Sequence, residues 1–155
     1  MTLELTIRPL APGEDYPYDL LLLADPSRTM VDDYLTRGWC HVATLGSDVV
    51  GEFVLIPTHP RTIEIVNVAV MEAHQGRGIG KALVYAAIGE AKRRGAATVE
   101  IGTGNSGFLQ LKLYQQCGFR IVGVDPDFFV RHYDEPLYED GMQVRDMVRL
   151  RMLLE

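Results

Sequence analysis

Thr62-Ile63-Glu64-Ile65-Val66-Asn67-Val68-Ala69-Val70, then four residues, then Gln75-Gly76-Arg77-Gly78-Ile79-Gly80-Lys81-Ala82-Leu83: the reading of this chain turns on this stretch. Its first nine residues are rich in β-branched side chains and predict a strand. Ile79, Leu83, Ala86 and Ala87 recur at helical spacing, and Lys92-Arg93-Arg94 before Gly95 suit the negative end of a helix dipole, so a helix from about Gly78 to Arg94 follows. Between strand and helix, glycines at alternate positions allow positive φ, so that successive N–H groups and the positive end of the helix converge on one point. That geometry holds a phosphate, with Arg77 and Lys81 able to neutralise charge beside it. A plain tight turn needs neither three glycines nor two cations. A Walker A loop is excluded, because Lys81 is followed by Ala82 and the first glycine is misplaced.

Toward the N-terminus, Met1 to Arg8 alternates apolar with polar residues and reads as a strand rather than a signal peptide. Tyr16 to Ala24 and about Ser27 to Arg37 read as helices, the second opened by a Ser cap and closed by Gly38. Trp39 to Leu45 and Val49 to Ile56, parted by Gly46-Ser47-Asp48, predict an antiparallel pair, with Pro57 ending its second strand. Toward the C-terminus, Thr98 to Ile101 is a short strand and Ser106 to Cys117 a helix stopped by Gly118. Phe119 to Val124 is another strand, and Gln143 to Leu154 a last strand-like run. The order predicts an α/β (α+β) chain, a single domain over 1–155, with a mixed sheet covered by helices.

The chain has 155 residues, 47% hydrophobic and 23% charged, which fits one soluble domain. Its formal charge of -6 argues against a nucleic-acid partner and favours a cationic one. No apolar run approaches the roughly 20 residues that span a bilayer, so no membrane partner and a cytoplasmic location are expected. Cys40 and Cys117 read as buried thiols, and none of the four histidines has metal-ligand spacing, so no metal is expected. Gly102-Thr103-Gly104-Asn105-Ser106-Gly107 matches G-x-G-x-x-G, with Asp125 about twenty residues on. It begins too late in the chain to leave room for the rest of a dinucleotide fold. Asp125 to Gly141 is a long connection rich in acids and aromatics. Asp125, Asp127, Asp134 and Glu135 with Phe128, Phe129 and Tyr133 would together suit a cationic amine with an apolar body. His132 and Tyr133 taken singly read as solvated loop.

Glu64 to Val70 followed by Gln75 to Leu83 resembles the signature of the GNAT superfamily of N-acetyltransferases, with its Q-x-x-G-x-G/A core complete. Asn105, then Leu113-Tyr114-Gln115-Gln116-Cys117-Gly118-Phe119, resembles that family's later motif. The resemblance covers nearly the whole chain and implies a mixed, mostly antiparallel central sheet flanked by helices. It also implies acetyl-CoA as cosubstrate, with the pyrophosphate on Gln75, Gly76, Arg77, Gly78, Ile79, Gly80 and Lys81, and the pantetheine arm along the main chain of Val68, Ala69 and Val70. One of those N–H groups would polarise the thioester carbonyl. Tyr114 matches the family residue that protonates the departing thiolate, and Glu64 matches a catalytic base; core packing and an ordinary strand-face position are the plain alternatives. Asn105 is either a pantetheine contact or a helix cap. The acceptor implied is an amine of a small molecule or peptide; a non-catalytic acyl-CoA-binding or sensing module would keep the glycine turn without Glu64 and Tyr114. The oligomeric state stays open, a homodimer included.

Overall fold

Apolar strand segments bury their side chains only by pairing, and the computed structural model, which describes residues 4–154, gathers them into one sheet. The first half of the chain forms β1 (Leu5–Pro9), α1 (Tyr18–Ala24), α2 (Arg28–Leu35), β2 (Trp39–Leu45), β3 (Asp48–His59) and β4 (Thr62–Val70). The second half forms α3 (Ile79–Arg93), β5 (Thr98–Gly104), α4 (Phe108–Gln116), β6 (Arg120–Asp125), α5 (Phe128–His132), β7 (Leu137–Glu139), β8 (Met142–Val144) and β9 (Met147–Leu153). Seven strands lie in the order β1-β2-β3-β4-β5-β9-β6, while β7 and β8 make a separate hairpin. Only β4 and β5 run parallel among the described residues, so the sheet is mixed and mostly antiparallel as expected. Met1 to Leu3 of the first predicted strand lie outside the described residues. No helix among the described residues is long and apolar enough to cross a membrane.

Helices cover both faces. Phe53, Leu55, Ile63 and Ile65 of the sheet pack with Leu83, Val84 and Ala87 of α3 on one side. Val54 and Ile56 pack with Leu21, Val31 and Tyr34 of α1 and α2 on the other. Each fully buried aliphatic side chain contributes about 1.5–3 kcal/mol. Ser27 caps α2 as expected, its Oγ accepting from Met30 N at 3.2 Å. Gly38 acts differently from the left-handed cap expected of it: a Cβ there would fall on the Leu55 carbonyl oxygen, so close backbone approach requires the glycine. Pro57 does not end β3, which continues to His59. β2 has already stopped at Trp39, opposite Leu55, so Pro57 stands where β3 is paired on one side only and a missing N–H is tolerated.

The feature that opens the site is a β-bulge. Val54 pairs with Asn67 and Leu55 with Ile65, leaving Val66 unmatched. The bulge switches faces: Ile63 and Ile65 enter the α3 core, Asn67 turns toward α1 and α2, and Val68 and Val70 return to the α3 side. Strict alternation in the sequence would have put Ile63, Ile65 and Asn67 on one face. At the same point β4 parts from β5, their pairing ending at Ile65 and Ile101, while β5 continues beside β9 to Gly104. Val66 to Val70 therefore keep an unpaired main-chain edge facing the gap. The final predicted strand divides into β8 and β9 at Arg145 and Asp146, and the long acidic connection folds into α5 and β7.

Candidate active site

A cleft of about 850 Å³ occupies the gap between the splayed ends of β4 and β5. At one end lies the glycine turn. Gly76 and Gly78 have φ of 78° and 82°, and nothing lies within 4 Å of where a Cβ would stand on either. Gly78 is also the N-cap of α3, which runs for 15 residues, so the turn's N–H groups and the helix dipole point the same way. Gln75 Nε2 donates to Val70 O at 3.0 Å and ties the turn to the end of β4. Val68, Ala69, Val70, Gln75, Gly76, Ile79 and Gly80 line the cleft, whereas Arg77, Gly78 and Lys81 are exposed and are not part of its lining.

Tyr114, on α4, is 5% exposed, lines the cleft and meets Phe119 edge to face. Burial, then the nearby Glu52 carboxyl, push its hydroxyl above the usual tyrosine range, so it carries its proton at neutral pH. Glu64 lines the cleft from β4. Burial raises its carboxyl above the usual range; the Arg149 guanidinium, with Nη1 3.5 Å from Oε2, opposes this, and Glu100 adds to it. A carboxyl so placed accepts a proton closer to neutrality than an exposed one would.

Asn105 does not cap α4, whose N-cap is Gly107. Its Oδ1 accepts from Arg145 N at 2.8 Å and Asp146 N at 3.1 Å, and its Nδ2 donates to Gln143 O at 3.2 Å, pinning the β8–β9 turn. It stands outside the cleft lining. The neighbouring glycines serve packing: Gly102 and Gly104 lie within β5, where a Cβ would come within 2.6 Å of Met147 Sδ and Val144 Cγ1 respectively. They make no dinucleotide loop.

The acidic-aromatic segment is split by the fold. Phe128, Phe129 and Tyr133 line the cleft. Asp125 is held by Arg131 at 2.6 Å and Asp127 by Arg145 at 2.8 Å, and Asp134 and Glu135 are exposed away from the cleft wall. The carboxylates that do line it are Asp25, Glu64 and Glu139. Asp25 follows directly on the helix predicted to end at Ala24 and carried no further signal in the sequence, and Asn67 read only as one amide in an apolar strand. Glu52 is fully buried on β3 opposite Ala69, its side-chain oxygens making no hydrogen bond of good geometry; burial raises its carboxyl well above the usual range, and the Ala69 backbone opposes this only in part. Burial likewise pushes the Cys40 thiol up to about 12 and raises that of Cys117, which keeps both protonated. Among the described residues no group of three or more His, Cys, Asp or Glu is arranged to hold a metal ion.

The sequence model of the acetyltransferase (GNAT) family matches residues 5–119. An uncharacterised N-acetyltransferase of Bacillus subtilis (strain 168), YvbK, is 60% identical over 136 residues, 88% of this chain and 88% of its own. Among solved structures, a GNAT family acetyltransferase from Elizabethkingia anophelis with acetyl-CoA bound is 45% identical, with a TM-score of 0.95 over 97% of this chain and 98% of that one. A Bacillus subtilis acetyltransferase in complex with CoA is 55% identical, with a TM-score of 0.90 over 98% and 100%. The family match spans β4, its bulge, the glycine turn and Tyr114, which form one part of the cleft, and the chain belongs to the acetyltransferase (GNAT) family.

Proposed function

We propose that the protein transfers the acetyl group of acetyl-CoA directly to an amine of a small molecule or peptide, in the cytoplasm. The observation that carries this reading is the unpaired edge of β4 from Val66 to Val70, set between the glycine turn and the two cleft-lining side chains Glu64 and Tyr114. The open positive-φ glycines at the N-terminus of α3 suit a pyrophosphate, and the free main-chain edge suits the amides of a pantetheine arm. When bound, the coenzyme supplies an electrophilic thioester carbonyl.

The chain's own groups supply the rest. Glu64 takes the proton from the incoming ammonium, directly or through water, so that the nitrogen can attack. An N–H among Val68, Ala69 and Val70 stabilises charge on the carbonyl oxygen, fixed in place by the sheet. Tyr114 gives a proton to the sulfur as the carbon–sulfur bond breaks. No enzyme nucleophile is needed. The three carboxylates lining the cleft, with no Lys or Arg among the lining residues described, favour a cationic acceptor.

Thiol release from acetyl-CoA across a panel of amines tests this, comparing the unmodified protein with Tyr114→Phe and Glu64→Gln. Acceptor-dependent release that falls sharply in both variants is expected. Tight coenzyme binding without turnover on any amine would instead make the protein an acyl-CoA sensor.

A further inference from the structure

Two segments far apart in the chain meet beside the middle of β4. Tyr133 Oη, from the connection after α5, donates to Asp25 Oδ1 at 2.8 Å, and Tyr34 Oη, from α2, donates to Asp25 Oδ2 at 3.1 Å. Ser27 N also donates to Asp25 Oδ1, at 3.2 Å. Behind them, Asn67 Nδ2 donates to Tyr34 Oη at 2.8 Å and to Leu21 O at 3.0 Å. The other end of that amide, Oδ1, has no partner although the residue is only 4% exposed. Asp25, Tyr34, Asn67 and Tyr133 all line the cleft, and Tyr133 packs on Phe129 with ring centroids 5.3 Å apart.

This arrangement has more acceptors than donors and no cation. A carboxylate offers about four lone-pair sites, and only three donors reach Asp25. A buried amide oxygen without a donor is costly, and a partly buried carboxylate costs most when no positive charge faces it. A ligand bringing N–H donors and positive charge satisfies both, and the adjoining aromatic faces attract the same charge. That charge does not belong to the reacting nitrogen, which must lose its proton before it attacks and has Glu64 for that purpose. It belongs to another centre on the acceptor.

We infer that Asp25, with Tyr34, Tyr133 and Asn67 Oδ1, forms a subsite for a second cationic centre, so that the preferred acceptor is a diamine or an amine bearing a guanidinium. The inference rests on the transferase reading of the same cleft. It is tested by measuring kcat/KM with α,ω-diaminoalkanes against alkylamines of equal chain length, in the unmodified protein and in Asp25→Asn. The diamine is expected to be better by about tenfold or more, the worth of one desolvated charge interaction. In Asp25→Asn the ratio of diamine to monoamine falls toward one, mainly through the KM of the diamine. Tyr133→Phe keeps the carboxylate and the ring and lowers the ratio less; it carries the test if Asp25→Asn does not melt cooperatively. A ratio of one in the unmodified protein, or a ratio unchanged in either folded variant, overturns the subsite alone. Absence of thiol release with every amine overturns the transferase reading and the subsite with it.

Discussion

The two ends of the cleft are built in opposite ways. The glycine turn is contiguous, Gln75 to Lys81, and its proposed hold on the coenzyme works through main-chain N–H groups that a local pattern of glycines and a helix start place without help from the rest of the chain. The proposed acceptor end is made of side chains from separate elements: Asp25 after α1, Tyr34 on α2, Asn67 on β4, and Tyr133 after α5, with the bonded Asp25 and Tyr133 lying 108 positions apart. Main-chain recognition depends on conformation, so it fails when φ is changed. Side-chain recognition depends on convergence, so it fails one group at a time and changes which acceptor is preferred.

The largest effect should come from the residues between the two ends. Tyr114→Phe and Glu64→Gln should each lower kcat by about 10²–10⁴, the usual contribution of a placed acid or base, with coenzyme affinity nearly unchanged in a binding titration. Next, Gly78→Ala places a Cβ on a residue at φ 82°, which costs about 1–2 kcal/mol in that conformation. It should raise the KM for acetyl-CoA roughly tenfold while leaving the diamine preference intact. A loss of that preference in Gly78→Ala would mean that the two ends are coupled rather than separately built.

Glu52 lies beneath the cleft and yields a prediction in stability. Its carboxyl is raised in the folded protein, so its contribution to stability is fully present below the unfolded value and is lost as pH rises through the folded one. Glu52→Gln should therefore melt above the unmodified protein on the alkaline side, with a pH profile flatter by at most about 1.4 kcal/mol per pH unit. Equal melting temperatures at every pH would show that the Glu52 carboxyl does not titrate differently in the folded and unfolded chain. The smallest effect belongs to Arg149→Met. Removing the cation 3.5 Å from Glu64 lets that carboxyl rise further, so the acid limb of kcat/KM should move to higher pH. Activity on the acid side should fall about two- to threefold, with the alkaline plateau kept.

Whereas Tyr114 was singled out only by the resemblance to the GNAT superfamily, the glycine turn, the strand leading into it and the helix after it were legible because each is a local pattern of backbone preference or apolar spacing. Ser27 as a cap and Gly118 as a stop, at φ 106°, were legible for the same reason. Pro57 and Gly38 were misread, since edge pairing and close backbone approach are properties of neighbours in space. The acidic segment after β6 suggested an acid-lined cleft, and the fold lines it with acids other than the four singled out: Asp125 and Asp127 are taken by Arg131 and Arg145, while Glu139 of the same segment and the distant Asp25 and Glu64 reach the cleft.

By itself the sequence determined the elements, their order and the place where an anion can lie, because glycine conformations and hydrophobic periods act over a few residues. Only the tertiary structure decided that a bulge at Val66 parts β4 from β5, which face of β4 Asn67 takes, and which carboxylates meet in the cleft. Those outcomes depend on strand register and on packing between distant segments. A single unmatched residue turns every later side chain to the other face without altering the local pattern from which a strand is read.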